Sequence, residues 1–382
     1  MRIGIVGGGP AGLWLALLIR QSSPGHEVTV WEQNPPGATY GFGVVFSDTA
    51  LRFVAEAAPA AFAPVAAAMQ RWDDLTIVHR DRRVAIDGNG FAAIGRLRLL
   101  ELLQAQARAT GVRLVFDRRI EDVAALDGCD LVVGADGVNS TLRQGLAAAF
   151  GTRVEELTNR FVWYGTRQTF PTLSLTFRAN ADGAFVAHHY RYAGDMSTFI
   201  VECDAASFAR AGLEAMSDDE SRAYCERLFA PDLGGHPLIS NRSIWRRFPV
   251  LTNERWHAGN VVLIGDALRT VHFSIGSGTR LAMEDAVFLA RALAEAGEDV
   301  PAALAAFEAA RRPVVDKLLA GAAGSYTWYE GFAGRMGLDP YELAYDYMTR
   351  SGRMTEERLA AIAPKFVAAC RAHRATAGEG AR

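Results

Sequence analysis

The chain opens with a short apolar run, "RIGIV", then glycines, then apolar positions at helical spacing over residues 11–21. Short continuous apolar runs bounded by turn residues are the pattern of strands buried on both faces. The pattern recurs in "EVTVWE", "VRLVF" and "DLVVGADG", with the helical stretch "RLRLLELLQAQARA" before the last two. Strands alternating with helices predict a parallel α/β sheet. From residue 158 the period changes to two. "FVWYGTRQTF", "LSLTFRA", "AFVAHHYRYAGDMSTFIVECD" and "SIWRRFPV" are aromatic and β-branched, with "AGD" as a hairpin turn. They predict an antiparallel sheet inserted into the first domain. Beyond residue 258 the buried-strand pattern returns in "NVVLIGDA", and the rest is helical. The expected boundaries are 1–72, 97–157 and 256–295 for the α/β domain and 73–96 and 158–255 for the sheet domain. C-terminal helices are expected over 296–372 and a flexible tail, "RATAGEGAR" and its flank, over 373–382.

Composition changes this picture little. Half of the 382 residues are apolar, 22% are charged, and the net charge of −3 offers no electrostatic case for nucleic acid or an anionic membrane. No apolar run reaches the length of a membrane span, and glycines break the N-terminal apolar stretch too early for a signal peptide. Cys129, Cys203, Cys225 and Cys370 lack C-x-x-C or His/Cys clustering, so neither a disulfide framework nor a metal site is expected. A cytoplasmic location follows as the expectation.

Candidate chemistry begins at Gly7-x-Gly9-x-x-Gly12, between the first strand and first helix. Glycines there permit a tight turn and close backbone approach to a pyrophosphate, which the helix N-terminus then faces. Ala11 sits within the motif. Glu32 ends the second strand and is placed to accept hydrogen bonds from a ribose diol, with Gln33 beside it. The fold class expected is thus α/β, a Rossmann-like nucleotide domain with an inserted antiparallel sheet and a helical C-terminal region. The fingerprint alone does not separate NAD from FAD. Asp136 in "GADGVNSTLR" and Asp266 in "LIGDA" each follow a buried strand, where an aspartate is as readily a turn former as a ligand group. Together with the fingerprint they suit a long ligand with several polar parts, such as a flavin dinucleotide.

The set resembles the single-component aromatic flavin hydroxylases of the para-hydroxybenzoate hydroxylase fold. "GGGPAG" is similar to their nucleotide fingerprint, "GADGVNSTLR" to their D-G motif (Asp136, Gly137, Ser140, Arg143) and "IGDA" to their G-D motif. "IGRLRLLELL" supplies Arg96, and "FEAARRPVV" resembles a later helical segment. The resemblance implies non-covalent FAD held by Gly7, Gly9, Ala11, Gly12, Glu32, Gln33, Val44, Arg96, Ile120, Asp136, Gly137 and Asp266. It also places "HFSIGSGT" along the flavin ring, with Gly276, Ser277, Gly278 and Thr279 close to it and both glycines packed too tightly for a side chain. NADH or NADPH would reduce the flavin, O2 would add at C4a, and the hydroperoxide would hydroxylate an electron-rich ring.

"GFGVVFSDTAL" and "HFSIGSGT" resemble members of this family that act on ortho-substituted benzoyl-CoA thioesters, and "VWYGT" and "STFIVEC" are similar to those and to the tryptophan hydroxylases of violacein synthesis. The first expectation is 5-hydroxylation of salicyloyl-CoA to gentisyl-CoA, with 2-aminobenzoyl-CoA or a tryptophan- or indole-type substrate as alternatives. His272, His188 and Tyr190 are candidate catalytic residues; His189 is another candidate for contact with the ring. A histidine on an alternating strand is more often a satisfied structural residue. "HRDRRVAI" and "NRSIWRRF" offer arginines to CoA phosphates, although a solvated surface explains them as readily. A non-catalytic FAD-binding module remains the reading of a different class. Flavin halogenation is disfavoured, because Lys317 and Lys365 are the only lysines and W-x-W is absent. The chain is expected to act as a monomer or homodimer.

Overall fold

The computed structural model describes residues 1–379. Its first sheet runs His257–Ala258, Val261–Leu263, Leu131–Gly134, Arg2–Val6, Glu27–Trp31, Arg113–Val115. All pairings are parallel except the His257–Ala258 hairpin at one edge. The middle strands are apolar throughout because helices cover both faces. The helix Pro10–Ser22 is buried from Ala11 to Ile19, which its lack of charged residues before Arg20 allows. Trp14, Leu99, Leu103, Val133 and Met283 belong to its core.

The second sheet has seven strands, in the order Leu238–Ile239, Arg160–Thr166, Met196–Cys203, Gly183–Ala193, Leu173–Asn180, Leu75–His79, Arg82–Ile86. It is antiparallel except where Leu173–Asn180 runs parallel to Leu75–His79. Two-residue alternation gives it two different faces. Val162, Tyr164, Phe199, Val201 and Cys203 pack under the helices Ala205–Arg210 and Asp218–Leu228. Leu175, Phe177 and Val186 lie on the other face, against Trp328, Tyr329 and Phe332 of the C-terminal helical region.

Two features depart from expectation. Gly43–Ser47, Phe91–Gly95 and Gln70–Trp72 form a small separate sheet, so strands assigned above to different domains pair with one another. The last helix, Pro364–Glu379, continues through most of the expected tail; "RATAGE" is polar, but its alanines and charged residues are good helix formers. Among the described residues no helix is long and apolar enough to cross a membrane.

Candidate active site

A cavity of about 650 Å³ runs along the carboxyl edge of the parallel sheet. Gly7 has φ +109°, and a Cβ there would stand 2.3 Å from the Ala135 carbonyl oxygen; at Gly12 it would meet the Gly7 oxygen at 2.2 Å. Only glycine lets the loop fold so tightly against the neighbouring strand turn. A Cβ at Gly9 would touch nothing, because that position faces the cavity. Gly9 precedes the helix Pro10–Ser22 without a side-chain cap, so its first N–H groups are left for a ligand. The Glu32 carboxylate accepts from the Gly8 N–H at 2.8 Å and from Asn34 N and Nδ2 at 2.9 and 2.7 Å, which fixes it at the adenosine end.

Asp136 is held by Thr141, whose N–H donates to Oδ2 at 2.8 Å, while its buried Oδ1 has no partner among the described residues. Arg143 does not reach the cavity. It is buried and donates to the Val138 and Ala267 carbonyls at 2.6 and 3.1 Å, tying the two aspartate motifs together. Gly265 turns with φ +61°, placing Asp266 in the cavity. Asp266 is open to the cavity, and the protein crowded around the cleft raises its carboxyl above the usual range, opposed by Arg96 and Arg269. Behind this turn Asp285, fully buried, receives Arg269 at 2.7 and 2.8 Å, Arg311 at 3.0 Å and the Gly265 N–H at 3.0 Å. Arg311 also pairs with Glu284 at 2.7 Å, giving "FEAARRPVV" a structural role.

Gly7, Gly9, Ala11, Glu32, Gln33, Arg96, Ile120, Asp136, Gly137, Asp266, Gly278 and Thr279 all line this cavity. Gly12, Val44, Gly276 and Ser277 do not. Gly12 packs the loop, and Val44 is buried in the core. The expected crowding at both glycines of "HFSIGSGT" needs correcting. Gly276 is required by its φ of +59°, and a Cβ on Gly278 would come no closer than 3.9 Å to protein. Gly278 instead begins the helix Gly278–Ala296, uncapped by any side chain. Arg118, Arg119 and Asn139 also line the cavity but carry no recognisable spacing in the sequence. The donor set fits FAD: an orphaned buried acceptor, two uncapped helix N-termini, an acid at the adenosine end and Arg96 at the cavity.

Beyond "HFSIGSGT" rings pack against one another and fill the chamber between the seven-stranded sheet and the C-terminal helical region. Phe273 is 4.9 Å from Phe161, 6.3 Å from Trp163, 5.2 Å from His188 and 4.3 Å from His272, between centroids. Phe248 stands 4.7 Å from His272. Strand register puts Phe161, Trp163, His188 and Glu202 on one face. Glu202, 1% exposed, meets His188 Nε2 at 3.2 Å and accepts from Asn159 Nδ2 at 2.8 Å. Burial alone would raise the Glu202 carboxyl, but His188, His272 and Asn159 hold it below the usual range. His272 Nδ1 accepts from the Ser274 N–H at 3.3 Å, leaving its proton on Nε2. Burial depresses this imidazole to about 4, against the pull of Glu202, and nearby His188 and Arg350 lower it further. Arg350 and Ser325 anchor the loop through the Ser274 carbonyl and hydroxyl at 3.1 and 2.9 Å.

His188 and His272 are thus brought together, and Tyr190 is not. Its hydroxyl donates to the Gly43 carbonyl at 3.0 Å and fastens the sheet to the small three-stranded one. His189 faces the opposite core, with Nε2 2.9 Å from Thr176 Oγ1. Glu202 was missed by sequence reasoning, although a carboxylate inside "STFIVEC" is a legible anomaly.

The cavity, its acid at the adenosine end and the adjoining ring chamber define a FAD-dependent oxidoreductase. The chain belongs to the FAD-binding-domain family of aromatic monooxygenases: a family model described as "FAD binding domain" matches residues 101–322, and "NAD(P)-binding Rossmann-like domain" matches 5–74. It is 42% identical to salicyloyl-CoA 5-hydroxylase of Streptomyces sp. over 361 residues, 92% of this chain and 70% of that one. It is 39% identical to 3-hydroxy-4-methyl-anthranilyl-[aryl-carrier protein] 5-monooxygenase of Streptosporangium sibiricum, covering 94% and 97%. With protodeoxyviolaceinate monooxygenase of Chromobacterium violaceum the identity is 35%, covering 92% and 94%. Among solved structures, 2-methyl-3-hydroxypyridine-5-carboxylic acid oxygenase superposes with TM-score 0.71 at 20% identity over 94% of this chain and 95% of that one, which supports the fold. The enzyme is a flavin-dependent monooxygenase using NAD(P)H and O2.

Proposed function

We propose that this enzyme hydroxylates an ortho-substituted benzoyl thioester at the carbon para to the ortho OH or NH2, with salicyloyl-CoA to gentisyl-CoA as the first choice. The observation that carries the reading is the buried acid–base pair Glu202–His188, set among aromatic rings next to the "HFSIGSGT" loop. Two relatives support it, since both by name act on aromatic acids held as thioesters, one on CoA and one on a carrier protein. Bound FAD supplies electron transfer from NAD(P)H and oxygen activation. Over a turnover, the substrate ring C–H, O2, NAD(P)H and a proton become a ring C–OH, water and NAD(P)+.

The residues here have separate tasks. Phe161, Phe248 and Phe273 enclose the ring and exclude water. His188 Nε2–H points at Glu202, so its Nδ1 is the free acceptor for the proton of an ortho hydroxyl. Taking that proton increases electron density at the para carbon, where the thioester would otherwise withdraw it. His272 Nε2–H and the buried indole N–H of Trp163, without a partner among the described residues, are donors for the thioester carbonyl. The uncapped start of the Gly278–Ala296 helix would favour negative charge on the reduced cofactor.

The test is NADH and NADPH oxidation by FAD-loaded enzyme with salicyloyl-CoA, 2-aminobenzoyl-CoA, free salicylate and tryptophan, with identification of products. A 5-hydroxylated thioester is expected. Hydroxylation of free tryptophan with no turnover of either thioester would overturn the reading.

A further inference from the structure

We propose that a second cavity, on the opposite face of the seven-stranded sheet from the ring chamber, binds the adenosine diphosphate end of coenzyme A. The inference rests on the thioester reading above and adds the place where the carrier's nucleotide is held. Its volume is about 590 Å³, and Arg160, Trp245, Arg246 and Arg247 contribute to its walls.

Register connects the two sites. Phe161 and Arg246 exchange both backbone hydrogen bonds at 2.9 Å, as an isolated antiparallel bridge at the sheet edge. Opposed residues point to the same face, and neighbours in sequence point to opposite faces. Phe161 faces the chamber, so Arg246 does too, together with Phe248 two residues on. Arg160, Trp245 and Arg247 then point to the other face. The contacts agree: the Arg160 guanidinium lies 5.3 Å over Phe208, whose ring is 5.5 Å from Trp245. Consecutive arginines therefore straddle the edge between chamber and cavity. A pantetheine arm leaving the chamber beside Phe161 would cross Arg246 and enter the cavity beyond it. Packed sheets lie about 10 Å apart face to face, and passing around the edge of one sheet is a crossing of that order, within reach of an extended arm.

The cavity has the donors a diphosphate needs. Arg160 Nη1 is buried with no hydrogen-bond partner among the described residues, and Arg247, on the same face, meets Glu156 at 3.4 Å. An unpaired guanidinium at a cavity wall suits a phosphate, which accepts its fork in bidentate fashion. Three acids also line it: Glu156 pairs with Arg247, Asp218 accepts from the Ser240 hydroxyl at 2.7 Å, and Glu214 is exposed to solvent. Ile244, 57% exposed, and Trp245 provide an apolar surface for a base. The arginines of "HRDRRVAI" are placed elsewhere. Arg80 donates to the Met336 and Gly337 carbonyls at 3.2 and 2.8 Å, and Arg82 lies 4.8 Å over Tyr341.

The test uses the FAD-loaded enzyme, so that the nucleotide cannot occupy the FAD cleft. Binding of adenosine 3′,5′-bisphosphate and of coenzyme A is measured by equilibrium dialysis for wild type, Arg160→Gln and Arg247→Gln. Turnover is measured with salicyloyl-CoA and with the N-acetylcysteamine thioester of salicylate, which lacks the nucleotide. Each substitution is expected to weaken nucleotide binding about tenfold, as loss of one charged hydrogen-bond donor does. KM for salicyloyl-CoA should rise in step, with FAD content and turnover of the truncated thioester unchanged. Nucleotide binding unaltered in both variants, or equal wild-type kcat/KM for the two thioesters, would overturn the proposal. If neither thioester is hydroxylated but nucleotide binding still depends on both arginines, the cavity assignment stands and the substrate reading fails.

Discussion

Replacing Asp285 with alanine tests whether the turn that presents Asp266 is held by the ion cluster behind it. In the wild type Asp285 is the acceptor for both terminal nitrogens of Arg269, for Arg311 Nε and for the Gly265 N–H. Arg311 keeps Glu284 in the variant, but buried Arg269 keeps no carboxylate. Removing one partner of a buried pair costs about 3–5 kcal/mol, most of it from the charge left behind. With an unfolding entropy of about 2.1 cal/mol/K per residue, a chain of this length loses about 1.2 °C of Tm per kcal/mol, hence about 4–6 °C. The assay is thermal unfolding by circular dichroism at one fixed scan rate, with and without saturating FAD. The stabilisation conferred by FAD should also shrink, because Gly265 no longer anchors the turn. The pH dependence has a definite sign. Arg269 and Arg311 hold the Asp285 carboxyl below its usual range despite burial, so its contribution is complete above about pH 4, the unfolded value, and vanishes as pH falls through the folded one. The difference between variant and wild type should be constant from pH 5 to 8. A Tm shift under about 1 °C, or FAD stabilisation equal to wild type, would refute the coupling between cluster and turn.

Gly278→Val should leave the apo protein's Tm unchanged, since protein atoms leave room for a Cβ, yet sharply reduce FAD retention measured from the flavin absorbance after gel filtration. Glu202→Gln should lower kcat about a hundredfold and reshape its pH profile with FAD content unchanged, the mark of a positioning residue acting through His188; an unaltered profile would refute that role. Urea denaturation should show stability rising from about pH 4 to about 6.5. Burial depresses His272 to about 4 and His189 to about 3, so only the unfolded chain takes up their protons in that interval. Asp266, whose carboxyl is raised, opposes this trend. Equal stability at pH 5 and 7.5 would refute the burial of the two rings.

The cofactor cleft was largely legible in the sequence because its constraints act locally. A glycine under a neighbouring carbonyl at 2.3 Å, a helix beginning without a cap, and an acid ending a strand each occupy consecutive positions, and spacing records them. Residues that hold those positions from a distance left fainter marks. Asp285 reads as one more acid in "RLAMEDAVFLARAL", and nothing local distinguishes Arg311 from the arginine after it. Tyr190 illustrates the opposite error. An aromatic hydroxyl on an inward strand position suggests chemistry, but a buried hydroxyl needs a partner, and the Gly43 carbonyl provides one.

The substrate half was harder to read for a topological reason. On Arg160–Thr166, alternate residues serve two unrelated environments: Phe161 and Trp163 the chamber, Val162 and Tyr164 a closed core. Periodicity of two announces that the faces differ without saying which face is wet, which is closed, or where a substrate crosses between them. The edge decides that. Because Phe161 is bridged to Arg246 and not to a full neighbouring strand, residues 241–248 carry side chains to both faces of the sheet edge, with Ser243, Ile244, Trp245 and Arg247 at the second cavity. Changes along that edge can alter what a bound substrate trails behind its ring without disturbing the rings that grip it. Relatives that share a ring chamber but differ between CoA and carrier-protein thioesters should therefore diverge there first. Exchanging residues 241–248 for those of the carrier-protein relative should lower kcat/KM for salicyloyl-CoA but not for its truncated thioester. Equal losses on both substrates would place the discrimination inside the chamber instead.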